Sequence, residues 1–379
     1  MRFEFATATR IIFGEGTAAT LPDLARTFGT RPLVVTGASK ERAAMLVSAL
    51  PAETFAVSGE PTVDQVREGA RRVQDAACDV VISIGGGSAI DAGKAIATIA
   101  NNGGEPLEFL EGIGQGRPIT VPPLPFIAVP TTTGTGSEVT RNAVLGSPEH
   151  GVKASLRSPL MLPRVAVVDA ELTYGLPPAI TAYTGLDALT QLIEPYVSSR
   201  ANPLVDAICV EGIRRIAGAL RRAYHDGADR DARRDMALAS LFGGLALANA
   251  GLGVVHGFAA PLGGRWKAPH GALCAAVLPH GMAANVAALR ARAPEHPALN
   301  RYTAVARMLI GRSDAGADDG TDWIRALSTE LNIPTLRVWG IGESDLPAVV
   351  EKAAAANSMQ TNPLPLTSEE LMAVVAAAR

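Results

Sequence analysis

Much of what would mark other functional classes is missing from this chain. Three cysteines, Cys78, Cys209 and Cys274, are scattered through 379 residues with no CxxC pair. That excludes a disulfide framework and suits a reducing compartment. Neither sign of charge predominates. The formal net charge is −3, from 34 basic and 37 acidic residues, so nothing marks a nucleic-acid or anionic-membrane surface. No run reaches transmembrane length free of charges or turn residues. The opening MRFEFATATRIIFGEG lacks a basic segment leading into a long apolar core, so no signal peptide and a cytoplasmic setting are expected. Histidine is scarce, with six in the chain, and no two of them form HxxxH or HExxH.

What is present divides the chain in two. The first half alternates short β-rich runs with helical ones. Strands are expected over 31–36, 54–57, 79–84, 126–129 and 164–168, and helices over 40–50 and 62–77. The continuous Val/Ile runs predict strands buried on both faces, hence a mostly parallel sheet covered by helices. From Pro177-Pro178 onward, long helical patterns succeed one another with almost no strand signal. The expected organisation is an α/β domain over 1–175 and an all-helical domain over 176–379.

Two loops in the first half have the composition of a phosphate cradle. Gly85-Gly86-Gly87-Ser88 follows a strand and opens a helix, where free N–H groups and a partial positive charge suit a pyrophosphate. The spacing is not GxGxxG, and the same context describes a plain strand-to-helix turn. Residues 130–140, PTTTGTGSEVT, follow a second strand and crowd hydroxyls into one loop. Two such loops at the ends of strands in one sheet favour a dinucleotide. In the second half, Asp187 and Gln191 are spaced i, i+4 and share a helix face. His256, His270 and His280 fall within 25 residues. A carboxylate with two imidazoles suits Zn²⁺, Fe²⁺ or another first-row divalent ion, although histidines on apolar helices are commonly satisfied by their neighbours alone.

Together these segments resemble the iron-containing (group III) alcohol dehydrogenase family. The match is carried by GGGSAIDAGKAIA (85–97), PTTTGTGSEVT (130–140), GLDALTQLIEPYVS (185–198), GLGVVHGFAAPLGG with APHG (251–271) and TNPLPLT (361–367), with RIIFGEGTAATLP near the start. The resemblance implies a Rossmann-like domain and an all-α domain of the dehydroquinate synthase-like superfamily, working as a homodimer on a small-molecule alcohol, aldehyde or oxo-acid. It implies a dinucleotide, NADP or NAD, held by Gly86, Gly87, Ser88, Thr131, Thr132, Thr135, Ser137 and Lys153. It implies a divalent metal, iron or zinc, at Asp187, His256 and His270, which would also be the catalytic residues. The metal would polarise a carbonyl toward hydride from the nicotinamide.

The sequence departs from the family pattern in three places. Gln191 stands where the family usually has a histidine ligand, a neutral and weaker donor. Ala260 stands where many members carry a second histidine that relays a proton, leaving His280 as one candidate carrier. Gly37 stands near the aspartate that meets the adenosine ribose in NAD-preferring members. Without that carboxylate, Gly37 and Ser39, with Lys40 and Arg42, could accept a 2′-phosphate. Two other readings follow from particular residues. Arg265 and Lys267 suggest an oxo-acid reductase of the maleylacetate reductase kind, although a solvated loop is the favoured account of them. Gln191 and Ala260 suggest a dinucleotide-binding protein without catalysis.

Overall fold

The computed structural model describes residues 2–37, 40–150 and 152–379, the side chains of 40–42 excepted. The chain forms two compact units. One comprises Ala6–Thr132 and Gly136–Tyr174. The other comprises Gly175–Arg379 together with Thr133–Thr135 and the few N-terminal residues ending at Phe5.

The first unit is built on β1 (Arg10–Phe13), β2 (Pro32–Thr36), β3 (Glu53–Ala56), β4 (Val80–Gly85), β5 (Phe126–Pro130) and β8 (Val165–Val168), with the hairpin β6 (Asn142–Ser147) and β7 (Val152–Arg157). The six-stranded sheet runs β1-β8-β5-β4-β2-β3, and every pairing in it is parallel. Its helices are α1 (Leu21–Arg26), α2 (Lys40–Ser48), α3 (Val63–Asp75), α4 (Gly87–Asn102) and α5 (Pro106–Phe109). The unbroken apolar runs are divided between the two faces. Leu33, Val35, Val81, Phe126 and Ala128 join a core with α3 and α4. Val34, Ile82, Ile84, Ile127 and Val129 join a second core with α1 and α2. This is why the strands read as continuous rather than alternating.

Strand order fixes where a ligand can bind. From β2 the chain steps outward to β3, then returns to β4 on the other side of β2. Such a reversal opens a crevice beyond the carboxyl ends of the strands. The short helices α1 and α5 go beyond the sequence expectations, as do the edge strand β1, which pairs with β8 from 155 residues away, and the β6–β7 hairpin. β6 does alternate, with Ala143 and Leu145 buried between more exposed neighbours, but its short NAVLGS run is interrupted by glycine.

The second unit contains α6 (Pro178–Val197), α7 (Pro203–His225), α8 (Arg230–Ala250), α9 (Val254–Arg265), α10 (His270–Arg292), α11 (Pro297–Ile310), α12 (Ala317–Glu330), α13 (Leu346–Ala354) and α14 (Ser368–Ala378). Proline at the first helical position starts α6, α7 and α11. α6 is buried nearly all round and packs against α7, α8 and α10, the position of a central core helix. α10 is long and apolar enough to cross a membrane, a feature the sequence reading passed over. Most of it is buried within this unit, as a core helix would be. α8 and α9 meet at 98°. The bend lies at Gly251, whose φ of +76° only glycine adopts without strain.

Helix α4 lies close on the sheet because Gly93 has no side chain. A Cβ there would stand 2.0 Å from Ser83 Oγ and 2.8 Å from the Phe126 ring. Gly93→Val is expected to lower unfolding free energy by about 3 kcal/mol, read from the denaturant midpoint. An unchanged midpoint would show that this spacing tolerates a side chain.

Candidate dinucleotide and metal sites

In the α/β unit, the loops after β2, β4 and β5 converge at the carboxyl edge of the sheet. Thr131 N–H donates to Gly85 O at 2.9 Å. A Cβ on Gly85 would meet Ala89 Cβ at 2.6 Å and Gly37 N at 3.1 Å, and one on Gly86 would meet Thr132 Oγ1 at 3.2 Å. The glycines thus let three backbone segments crowd together. Gly86 caps α4 without a side-chain hydrogen bond, so the helix N-terminus keeps its donors for a ligand.

The expected cofactor residues do not all lie together. Gly37, Gly86, Gly87, Ser88 and Thr132 are partly exposed at this edge, while Thr131 is buried. Thr135 is partly exposed and belongs with the helical unit. Ser137 is buried, with its hydroxyl on Asp91. Lys153, on β7, pairs with Glu60 at 3.1 Å. Ser39 lies outside the described residues, as do the side chains of Lys40 and Arg42.

Behind the loops sits a brace that the sequence reading did not identify. Lys94, fully buried on α4, has Ser137 O (3.0 Å), Thr140 Oγ1 (2.9 Å), Thr140 O (3.3 Å) and Asn142 O within hydrogen-bond reach of its three ammonium protons. Its ammonium is 3.4 Å from Asp91 Oδ1, and Asp91 Oδ2 accepts Val144 N–H. Burial lowers the basicity of Lys94 against the pull of Asp91. Burial also pushes the nearby Glu138 carboxyl up to about 7. The signal was present as IDAGK inside the glycine block, where Asp91 and Lys94 are one helical turn apart.

In the helical unit, three helices bring four side chains together. α6 contributes Asp187, the first turn of α9 contributes His256, and α10 contributes His270 with Cys274 one turn on. One ligand atom from each lies within 4.8 Å of the others. Asp187 Oδ1 is 3.3 Å from His256 Nε2 and 3.7 Å from His270 Nε2. It is buried without a hydrogen-bond partner among the described residues. An orphaned carboxylate oxygen facing two imidazole nitrogens fits a divalent cation. Gln191 Oε1, one turn beyond Asp187, is likewise buried and without a hydrogen-bond partner among the described residues, and it lies close to Gly243 of α8.

Glu194 orders this cluster. Its Oε2 is 2.7 Å from His256 Nδ1 and its Oε1 accepts Val255 N–H at 2.7 Å. The carboxylate therefore engages Nδ1 and leaves Nε2 as the ring nitrogen turned toward Asp187, the arrangement of a carboxylate behind a metal-binding histidine. Asn362 accepts Val254 N–H, and Thr361 Oγ1 donates to Leu252 O. The TNPLPLT segment thus clamps the bend that aims His256. Burial opposes charge on both imidazoles, yet Cys274 and Glu194 hold His256 well above its ordinary pKa. Cys274 and Asp187 carry His270 to about 9. Burial likewise opposes ionisation of Asp187, but His270 and His256 hold its carboxyl below the usual range. The pocket stabilises positive charge.

Other expected residues are engaged elsewhere. Arg265 pairs with Asp345 at 2.7 Å and covers the Trp266 ring, while Lys267 is exposed. The half-exposed guanidinium thus has a surface carboxylate as its partner. His280, on α10, has Arg325 of α12 as its charged neighbour, and burial together with that arginine lowers its pKa. Ala260 is exposed.

Two substitutions test these assignments. Lys94→Met strips the common donor from the acceptors of the second loop, so about 3 kcal/mol of stability should be lost. Dinucleotide affinity should fall by titration while divalent-metal affinity holds. Glu194→Gln should weaken metal binding about 10- to 100-fold in chelator competition and leave dinucleotide binding intact. Equal metal affinity would remove Glu194 from this role.

The chain resembles known proteins along its whole length. A family model described as iron-containing alcohol dehydrogenase matches residues 8–170, and its C-terminal counterpart matches 181–379. Alcohol dehydrogenase 4 of Saccharomyces cerevisiae is 38% identical over 316 residues, covering 83% of this chain and 80% of that protein. The crystal structure of 1,3-propanediol oxidoreductase superposes with a TM-score of 0.90 at 32% identity over 100% of both chains. Sulfoacetaldehyde reductase from Bifidobacterium kashiwanohense, solved in complex with NAD+, gives 0.86 at 29% identity over 99% of this chain and 98% of that one. The chain belongs to the iron-containing alcohol dehydrogenase family and is an oxidoreductase acting on CH–OH, with a nicotinamide dinucleotide and a divalent metal as its cofactors.

Proposed function

We propose that this enzyme interconverts small, uncharged aldehydes or ketones and their alcohols, and that it accepts NADPH as well as NADH. The observation that carries the reading is the Asp187–His256–His270 cluster, with Asp187 and His256 buried and one carboxylate oxygen orphaned, in a chain that also builds a glycine-lined loop cluster at a sheet's carboxyl edge. When bound, the dinucleotide supplies a hydride and the divalent ion supplies Lewis acidity toward the carbonyl oxygen.

The chain's own groups do the rest. Gly86 and Gly87 admit a pyrophosphate to the N–H groups of α4, with Ser88 and Thr132 as hydroxyl partners. Lys94 keeps the second loop in place. Asp187, His256 and His270 hold the ion, and Glu194 fixes which nitrogen of His256 is offered to it. Gly37, at the end of β2, brings no carboxylate to repel a 2′-phosphate, which supports acceptance of NADPH. The contact of Arg265 with Asp345 favours uncharged substrates over oxo-acids.

The test is coenzyme oxidation, followed by absorbance, with metal-depleted and metal-reloaded protein and a panel of aldehydes and oxo-acids. Metal-dependent oxidation of both coenzymes, fastest with uncharged aldehydes and lost in Asp187→Asn, is expected. Coenzyme binding without any turnover would favour a non-catalytic binding protein. Preference for oxo-acids would overturn the substrate class.

A further inference from the structure

Cys274 is the least expected member of the metal cluster. It is fully buried on α10, with Sγ 3.6 Å from His270 Nε2 and 3.8 Å from His256 Nε2. A thiol has one proton and can serve one of these nitrogens, which leaves the other nitrogen and Asp187 Oδ1 without a donor from it. A shared cation satisfies all four atoms at once.

The separations can be checked against coordination geometry. Bonds of about 2.0–2.1 Å to nitrogen or oxygen and about 2.3 Å to sulfur, set tetrahedrally, give edges of about 3.3–3.4 Å between N or O atoms and about 3.5–3.6 Å from N to S. Four of the six edges here are 3.3 and 3.7 Å from Asp187 to the two imidazoles and 3.6 and 3.8 Å from the sulfur to them, and all six lie within 4.8 Å. Charge also closes. One carboxylate and one thiolate neutralise a divalent ion in buried surroundings, with both imidazoles neutral.

We propose that Cys274 is a metal ligand in this chain, completing an Asp–His–His–Cys set, and that its sulfur tilts the site toward zinc over ferrous iron. Thiolate is a soft donor that favours zinc, whereas carboxylate and amide oxygens bring no such bias. A thiolate is also a stronger donor than the neutral amide at Gln191. The inference rests on the reading of this cluster as a divalent-metal centre.

The experiment uses the full-length protein, stripped of metal and loaded with Co²⁺. Wild type should show ligand-field bands in the visible and a sulfur-to-cobalt charge-transfer band in the near ultraviolet. Cys274→Ser should keep the first and lose the second. Its zinc affinity should fall at least about tenfold in chelator competition, with ferrous affinity little changed. X-ray absorption of zinc-loaded wild type, which needs no variant to fold, should require a sulfur neighbour. A cobalt protein without the charge-transfer band, or a zinc spectrum fitted without sulfur, overturns the proposal. If such a preparation still oxidises NADPH in a metal-dependent way, only the role of Cys274 fails. If no divalent ion binds, the metal-centre reading fails with it.

Discussion

The helical unit turns on one buried carboxylate. Glu194 engages Nδ1 of His256 and accepts the N–H of Val255, and so ties the central helix α6 to the first turn of α9. A negative charge at a helix N-terminus is favourable in itself, and here it also leaves Nε2 of the histidine it touches turned toward Asp187. Break that contact and the 98° bend between α8 and α9 loses its anchor on α6. Asn362 holds the same turn from the C-terminal segment and is itself locked to Asn285 by paired amide hydrogen bonds. Sequence separated by more than a hundred residues therefore serves one imidazole.

The α/β unit solves a different problem, bringing backbone close to backbone. Gly85 and Gly86 leave no Cβ where neighbouring loops pass, and Lys94 gathers the carbonyls of the second loop from behind. The exposed edge can then be lined by main-chain donors and small hydroxyls, while the charge that stabilises it stays buried. A loop with this many polar groups would otherwise leave acceptors unsatisfied in the core.

How much was legible in the sequence follows from the range of each interaction. The central strands were readable because burial on both faces demands continuous apolar runs, and the helices from α6 to α14 because their periodicity and their Pro starts are local. β1 was not, because a four-residue edge strand is defined by its partner β8 and not by its own pattern. Among candidate site residues, Asp187, His256 and His270, which the structure brings together, were legible from residue type and family resemblance. Cys274 was overlooked because a lone cysteine on an apolar helix carries no local sign of its neighbours. Its i, i+4 spacing from His270 was the available clue. Glu194 sits seven residues from Asp187, two helical turns along the same face, yet nothing local says that its partner will be His256.

The sequence by itself determined the class of protein: an α/β half with loops suited to phosphate, a helical half with metal-type ligands, and no features of a nucleic-acid-binding chain. These are properties of composition and short-range spacing. Only the tertiary structure decided which side chains share an atom's neighbourhood. It turned Ser137 inward onto Asp91, paired Arg265 with Asp345, and put Cys274 beside both imidazoles. Ligand sets and ion pairs depend on distances of a few ångströms between segments far apart in the chain, and those distances are set by how helices and strands pack. The metal-type cluster that residue types suggested thus came out of packing with a fourth, sulfur-bearing member.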